Sequence, residues 1–504
     1  MSTIRRQSIL SSGIIYFGFA LGFLNTYLFT RQGGFTQTEY GLTGIFMSIG
    51  SIMYSFANLG MQAYIYKFYP YYQDNLDRKN NEMITLALMA GIFGFILVIL
   101  GGMIFKQLVI RKFGEHSAEL LQYYPWIFPF GFGMTMYSLL EAYAWQVKKS
   151  VLTSYLREVQ FRVFTTLLIV LFITRVFCCF DTFIKLYALG YLIITLSLLG
   201  ILLAQGEIHF TLTISRVTRK FRKKILVLAG FIWSGGLLHN IAAVFAPIVI
   251  AAVMPRGLAN AGIFIIAQYM TSMMQAPQRG IVAASLAPLS KAWKDKDLEK
   301  IKKIYHRSSI NQLIFSTGIF VLIWMNFRDG ITSFHLQNAF LDAQSVFFLL
   351  GITCIVDMGT GVNAQIIGTS TFWRFDFVTG ILLLALSLPL TYILTKNIGV
   401  TGPAMANLIA FTVYNLLRYL YLLNKFGMQP FDLKTLYTLL AAGAGYLTCF
   451  LLFGHAHGFS AILFRSLLFL LIYLFVIIRG RLTPDLIPVL ETLKKRMGLK
   501  TPAA

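Results

Sequence analysis

The sequence predicts an all-α, polytopic membrane protein of about 14 transmembrane helices, arranged as two six-helix lobes followed by two C-terminal helices. Composition is the first observation behind this. Of the 504 residues 57% are hydrophobic and only 12% charged, with a mean hydropathy of +0.69, whereas a soluble domain carries about 25% charged residues. The second is periodicity. Apolar runs of about 20 residues recur along the whole chain, as helices crossing a bilayer require, while a barrel would alternate over strands of about 10 residues. The third is the distribution of charge, which follows membrane topology.

The apolar runs place spans near 9–30, 40–65, 82–105, 122–146, 158–178, 182–205, 225–253, 260–289, 309–327, 343–368, 375–395, 400–423, 435–453 and 461–479. Arg5-Arg6 ahead of the first run resembles the start of a signal peptide, but the run is long and lacks a small-residue cleavage site, so it reads as the first span. A net charge of +23 would suggest nucleic acid in a soluble protein. Here most of the 43 lysines and arginines fall in alternate loops, with the densest clusters at Arg216–Lys224 and Lys291–Arg307. By the positive-inside rule these loops and both termini are cytoplasmic, in a cell inner membrane, and the partners are membrane lipids with no nucleic acid. Cys178, Cys179, Cys354 and Cys449 lie in or beside apolar segments without metal-ligand spacing and read as small buried hydrophobes. No metal site or cofactor is expected.

Internal repetition sets the domain plan. One ungapped offset lays Gly44-Ile45-Phe46 on Gly262-Ile263-Phe264, Arg5-Arg6 on Lys223-Lys224 and Pro70 on Pro288. Six helices separate the copies, so both run in the same direction, related by an axis along the membrane normal. The expected divisions are an N-lobe over 1–215, a C-lobe over 216–424, helices 13 and 14 over 425–480 and an amphipathic cytoplasmic tail over 481–504, where Leu486, Leu490, Leu493 and Met497 share a face. Between spans, Trp293–His306 carries Glu299 four residues before Lys303 and predicts a short solvated helix.

Polar residues inside the spans carry the functional signal. Gln268, Ser272, Gln275 and Arg279 occupy one face of the eighth span, and Ser51, Ser55, Asn58 and Gln62 the corresponding face of the second. An arginine at bilayer depth costs roughly 2.5–3.5 kcal/mol on the gentlest insertion scale, so Arg279 must face protein, water or an anion. Asn25, Thr26 and Arg31 belong to the first span; His239 and Asn240 to the seventh, ahead of a helix-bending Pro247. Carboxylates are few: Glu141, Asp357 and Asp376. Asp357 is the deepest and, with His239, is a candidate for coupling to Na+ or H+. Arg162 sits one turn after Glu158, which satisfies it locally. The chain has neither a large acidic-motif loop nor a phosphate-cradling glycine loop followed by lysine, so no enzyme activity and no ATP hydrolysis are expected.

Three stretches carry a family resemblance. Glu39-Tyr40-Gly41-Leu42 through Asn58-Leu59-Gly60 to Lys67-Phe68-Tyr69-Pro70 resembles the second-helix signature of polysaccharide and O-antigen flippases. Ala261-Gly262-Ile263-Phe264 to Pro288-Leu289-Ser290-Lys291, with the following Asp297-Leu298-Glu299-Lys300, is similar to their eighth helix and loop, and Asn397-Ile398-Gly399-Val400-Thr401-Gly402-Pro403-Ala404-Met405-Ala406 to their twelfth. The resemblance implies the multidrug, oligosaccharidyl-lipid and polysaccharide exporter superfamily, with helices 1, 2, 7 and 8 walling a central cavity. The lipid-II branch keeps cations in helices 1 and 8, for which Arg31 and Arg279 are the nearest equivalents; Gln268 stands where that branch has an arginine, which points to a different lipid-linked saccharide.

The resulting expectation is a flippase that moves a polyprenyl-diphosphate-linked oligosaccharide from the cytoplasmic to the outer leaflet by alternating access. Arg279, Gln275, Gln268, Ser272, Asn58, Gln62, Asn25 and Arg31 would bind it. The partners implied are this lipid-linked oligosaccharide, Na+ or H+, and the polysaccharide polymerase and chain-length machinery. Two alternatives stand beside it. A multidrug exporter of the same superfamily would want acidic rather than cationic groups in the cavity, and an integral-membrane glycan polymerase or ligase would need a larger outer loop.

Overall fold

The computed structural model describes residues 3–483 apart from residue 178, and it is helical throughout. The tail helix expected over 481–504 lies, beyond Thr483, outside the described residues. The chain forms two compact units, Met1–Gly262 and Ile263–Ala504.

The first unit contains α1 (Thr3–Thr30), α2 (Gln37–Ala57), α3 (Met61–Asn75), α4 (Met83–Ile104), α5 (Lys106–Phe113), α6 (Ala118–Gln122) and α7 (Tyr124–Gln146). It continues with α8 (Ser150–Tyr155), a π turn at Leu156–Gln160, α9 (Phe161–Ile173), α10 (Phe180–Ala188), α11 (Gly190–Ala204) and α12 (Arg216–Val253). α13 (Gly257–Met274) begins in this unit and runs into the second. The second unit adds α14 (Ala276–Lys294), α15 (Leu298–Ser333), α16 (Ala343–Gly359), α17 (Asn363–Gly368), α18 (Trp373–Ile398), α19 (Gly402–Phe426), α20 (Leu433–Phe453) and α21 (Phe459–Arg479).

Helix occupies each expected span, but length and apolarity alone mark ten crossing stretches among the described residues, of which Arg374–Phe426 holds both α18 and α19. α7 carries tyrosines, prolines and Glu141, and the eighth span is cut into two shorter helices. The protein is a multi-pass, all-helical membrane protein.

Several spans read as continuous are broken, among them the second, the eighth and the tenth, the last between α16 and α17. The second divides at Asn58–Gly60, where Leu59 and Gly60 adopt φ of 48° and 72°. Glycine is required twice at 60: for its left-handed backbone, and because a Cβ there would meet the carbonyl oxygen of Ala229 at 2.2 Å. The eighth divides at Gln275, since Pro277 has no amide to return a hydrogen bond to the preceding turn. Under the repeat offset the two breaks fall at nearly the same position, Asn58 meeting Ala276. α12 packs along α2 and α3 within the first unit.

The separate helix expected over Trp293–His306 is corrected as well. α14 ends at Lys294, Lys296 turns with φ of 56°, and Asp297 accepts the amide of Lys300 at 3.0 Å to cap α15, which continues for 36 residues. This junction is tied to a core: the Trp293 indole donates to Ile366 O at 2.9 Å above buried Ile301, Tyr305 and Leu422.

Close backbone approach and ring packing hold the first unit together. Phe35 stacks on Phe172 with centroids 4.3 Å apart and meets Phe183 at 4.8 Å. α2 and the first turns of α13 touch through Gly41, whose added Cβ would lie 1.8 Å from Leu258 O; small residues at helix contacts let membrane helices approach so closely. In the second unit Arg465 of α21 pairs with Asp329 of α15 and donates to Met325 O at 3.1 Å. Replacing Gly41 by leucine is expected to destabilise the protein by at least about 1–3 kcal/mol, the usual cost of overpacking, read as a lowered midpoint in thermal unfolding of the purified protein.

Candidate functional site

In the first unit the polar stripe of the second span is split by the helix break, and residues on both sides of it line one cavity. On α2, Ser51 and Ser55 bind α12: Asn240 donates to Ser51 O at 2.8 Å and to Ser55 Oγ, and accepts from Ser51 Oγ at 3.2 Å. The Trp233 indole adds a bond to Ser55 O at 2.9 Å. Across the break, Tyr54 of α2 and Asn58 both donate to Gln62 Oε1, at 2.7 and 3.2 Å, and Gln62 donates to Ser138 O at 3.1 Å. Tyr54, Asn58, Gln62, Trp233 and Asn240 line a polar cavity of about 220 Å³.

Asn25 is buried in α1, with both ends of its amide engaged on α9: it donates to Arg162 O at 2.9 Å and accepts from Thr166 Oγ1 at 2.6 Å. Arg162 reaches Glu158 at 2.8 Å, as its spacing predicts, and also the carbonyl of Gly18. Arg31 is exposed at the end of α1. His239 is exposed on α12 and makes no hydrogen bond or ion pair among the described residues.

In the second unit, Gln268 is exposed and Ser272 is satisfied locally by Tyr269 O at 2.6 Å. Gln275 forms the joint between α13 and α14. Arg279, on the first turns of α14, is exposed and has neither an ion pair nor a hydrogen bond among the described residues. That sets it apart from the arginines buried in other membrane helices. Arg465 has Asp329; Arg418 has Asp376, donates to Thr379 Oγ1 at 3.2 Å and lies 3.7 Å over the Tyr414 ring.

Asp357 shows the converse. Its two oxygens accept from neutral amides, Gln278 Nε2 at 2.9 Å and Asn415 Nδ2 at 3.1 Å, and it forms no ion pair among the described residues. The Asn415 carbonyl in turn accepts from Thr360 Oγ1 at 2.9 Å and Asn363 Nδ2 at 3.0 Å. Every donor around this carboxylate is therefore uncharged, so it can hold a proton or a small cation without first breaking a salt bridge.

Sequence reading did not single out Gln278, Asn363, Asn415, Arg418 or Arg157. Asn415 and Arg418 stand three residues apart in an apolar helix, which was the available signal. Arg157 was obscured because it falls at the edge of the fifth span, where it pairs with Glu141 at 3.1 Å. Among the cysteines, Cys354 and Cys449 are buried as expected, whereas Cys179 is exposed at the start of α10 and Cys178 lies outside the described residues.

No family model and no curated protein matches the sequence. Solved structures do match the fold. The chain is similar to a structure of the lipid II flippase MurJ in an inward closed conformation, with a TM-score of 0.72 at 16% identity over 95% of this chain and 100% of that one. It is similar to an inward-facing multidrug resistance MATE family transporter of the MOP superfamily, with a TM-score of 0.64 at 15% identity over 80% and 93%. A MOP superfamily transporter from Pyrococcus furiosus, described as having a binding pocket of reverse polarity, gives 0.51 at 15% identity over 82% and 94%. The chain therefore has the fold of membrane transporters.

Replacing Asn240 by leucine is expected to lower stability by about 1–3 kcal/mol, because Ser51 and Ser55 lose the partner that ties α2 to α12. A shift in thermal midpoint and a changed emission from the neighbouring Trp233 would report it.

Proposed function

We propose that this protein is a flippase that carries a polyprenyl-diphosphate-linked oligosaccharide from the cytoplasmic to the outer leaflet of the inner membrane by alternating access, in polysaccharide or O-antigen export. The observation that carries this reading is Arg279: an exposed guanidinium on a membrane helix, with no carboxylate partner among the described residues. A permanently charged group in that setting is supported by a mobile anion, and a lipid diphosphate supplies one. The fold shared with a lipid II flippase supports the same class of cargo.

Each unit contributes a distinct chemistry. The second offers the cation for the diphosphate, flanked by Gln268 and Gln275. The first offers amide and hydroxyl groups at Asn58, Gln62 and Tyr54 for the saccharide. Sugar hydroxyls need such groups, since each one left unpaired in hydrocarbon costs roughly 4–8 kcal/mol. Asn25 holds α1 to α9 behind this wall, and Arg31 stands at the end of α1 as a second cation for the anionic headgroup. The polyprenyl tail remains in lipid throughout.

A membrane potential, inside negative, favours outward movement of each negative charge by about 2.3 kcal/mol per 100 mV. The same field returns an empty site bearing Arg279. Na+ or H+ entering at Asp357 is the second source of drive, and its neutral donors favour it over His239, which has no hydrogen-bonded relay among the described residues. The released glycan passes to the polymerase and chain-length machinery.

Arg279→Ala is expected to reduce translocation of a fluorescent polyprenyl-diphosphate glycan in proteoliposomes by at least tenfold, with lysine restoring part of the rate; an unchanged rate in the alanine variant removes the residue from the mechanism. Asp357→Asn should leave the protein folded, since the amide keeps the shape of the side chain, and should abolish any sodium or pH dependence of that rate. Persistence of the dependence rejects Asp357 as the coupling group.

A further inference from the structure

A second feature of the first unit is not used by the diphosphate chemistry. Tyr66 of α3 and Trp145 of α7 stack with ring centroids 6.0 Å apart and planes 18° from parallel, yet remain 40% and 45% exposed. The Trp145 ring is locked in place, because its indole donates to Thr153 Oγ1 at 2.9 Å, and that hydroxyl donates to Ser150 O at 3.0 Å. The pair is thus a rigid apolar platform whose polar edge is already satisfied.

Charged groups lie beside it. The Tyr66 phenol is within electrostatic reach of Glu141 and Arg157. Glu141 is 7% exposed; Oε2 receives Arg157 at 3.1 Å, but Oε1 has no hydrogen-bond partner. Arg157 divides its guanidinium between Glu141 and Glu158, at 3.1 and 3.3 Å, and its side chain stays 42% exposed. It emerges from the π turn at Leu156–Gln160, a local widening of the helix that recurs at functional sites.

A ribbon of polar groups leads to this place. Gln62, Tyr66 and Tyr69 fall on one face of α3, and that face lies along α7: Gln62 donates to Ser138 O, and Tyr69 meets Tyr143 edge to face at 5.8 Å. The platform lies on the same α3–α7 seam as Gln62, one turn further along α3. α1 packs along α8, the π turn and α9.

We propose that Tyr66 and Trp145, with Glu141 and Arg157, form a saccharide-ring subsite. A pyranose presents a face of C–H groups and a rim of hydroxyls. The C–H face rests on an exposed aromatic ring, and rim hydroxyls accept from the exposed edge of Arg157, which Glu141 holds in place from its buried side. An aromatic pair serving only to anchor the protein at the membrane surface needs no orphaned buried carboxylate oxygen beside it. The inference rests on the reading of the cargo as a lipid-linked saccharide and assigns the ring nearest this wall its place.

The test uses the full-length protein in lipid nanodiscs, labelled with 5-fluorotryptophan, with the Trp145 signal assigned by its loss in Trp145→Phe. A panel of hexose and N-acetylhexosamine disaccharides is titrated, with inorganic pyrophosphate as control. The expected result is that at least one disaccharide moves the Trp145 signal and that Tyr66→Ala and Glu141→Gln each weaken this binding at least fivefold. Tyr66→Phe should retain it, and pyrophosphate should leave the signal unmoved. Unshifted signals from the remaining tryptophans confirm that each variant is folded. The proposal is overturned if no disaccharide moves the Trp145 signal, if pyrophosphate moves it equally, or if Tyr66→Ala binds as well as the parent. Disaccharide binding without translocation of the lipid-linked glycan in proteoliposomes would overturn the flippase reading and leave the subsite standing.

Discussion

Hydrocarbon does not solvate charge, and this one constraint orders the polar chemistry of the whole chain. Each ionised side chain buried within a membrane helix must find a partner or a path to water. Most here have found partners: Arg418 with Asp376, Arg465 with Asp329, and Arg157 and Arg162 with Glu141 and Glu158. Arg418–Asp376 and Arg465–Asp329 are architectural, because removing one member strands the other in a low-dielectric setting. Against that background the unpaired groups stand out. Among the described residues Arg279 is a cation without an acid, and Asp357 an acid held only by amides.

The same constraint explains what the sequence made legible. Helix is the only open structure that satisfies its own backbone in lipid, so runs such as 82–105 and 461–479 translate directly into α4 and α21. The repeat was legible because the offset preserved Gly44-Ile45-Phe46 and Gly262-Ile263-Phe264, and the structure gives both copies a break at equivalent positions. The breaks themselves were harder to read. Leu59-Gly60 and Pro277 sit inside apolar runs, and hydropathy averages over them. In the second span the break turns the chain between Ser51 and Ser55, which fasten α2 to α12, and Gln62, which bonds α7, while Ser55, Asn58 and Gln62 all line one cavity.

Site residues were legible as polar positions but not as partners. Asn25 and Ser272 share a residue class with Gln62 and Gln268, yet Asn25 is consumed by α9 and Ser272 by its own helix. One-dimensional spacing finds a polar face; it does not say whether another helix has already filled it. The Asp357 cluster makes the point most clearly. Gln278, Thr360, Asn363 and Asn415 come from α14, the turn after α16, α17 and α19, and converge only because the chain folds.

Two devices for managing charge thus coexist. Arg418–Asp376 and Arg465–Asp329 are closed circuits, in which a proton or cation arriving at the carboxylate would have to displace a guanidinium. Asp357 is an open one. Its donors are dipoles rather than charges, so uptake of a positive charge there neutralises the carboxylate and relaxes the amides without leaving a stranded arginine. Gln278, one residue before Arg279, donates to Asp357. Any change in the charge of Asp357 is therefore felt at the turn of α14 that carries the unpaired cation. In the proposed cycle this hydrogen bond and one peptide step link the coupling carboxylate to the anion-binding group, which makes Gln278, rather than either charged residue, the position where the two equilibria meet.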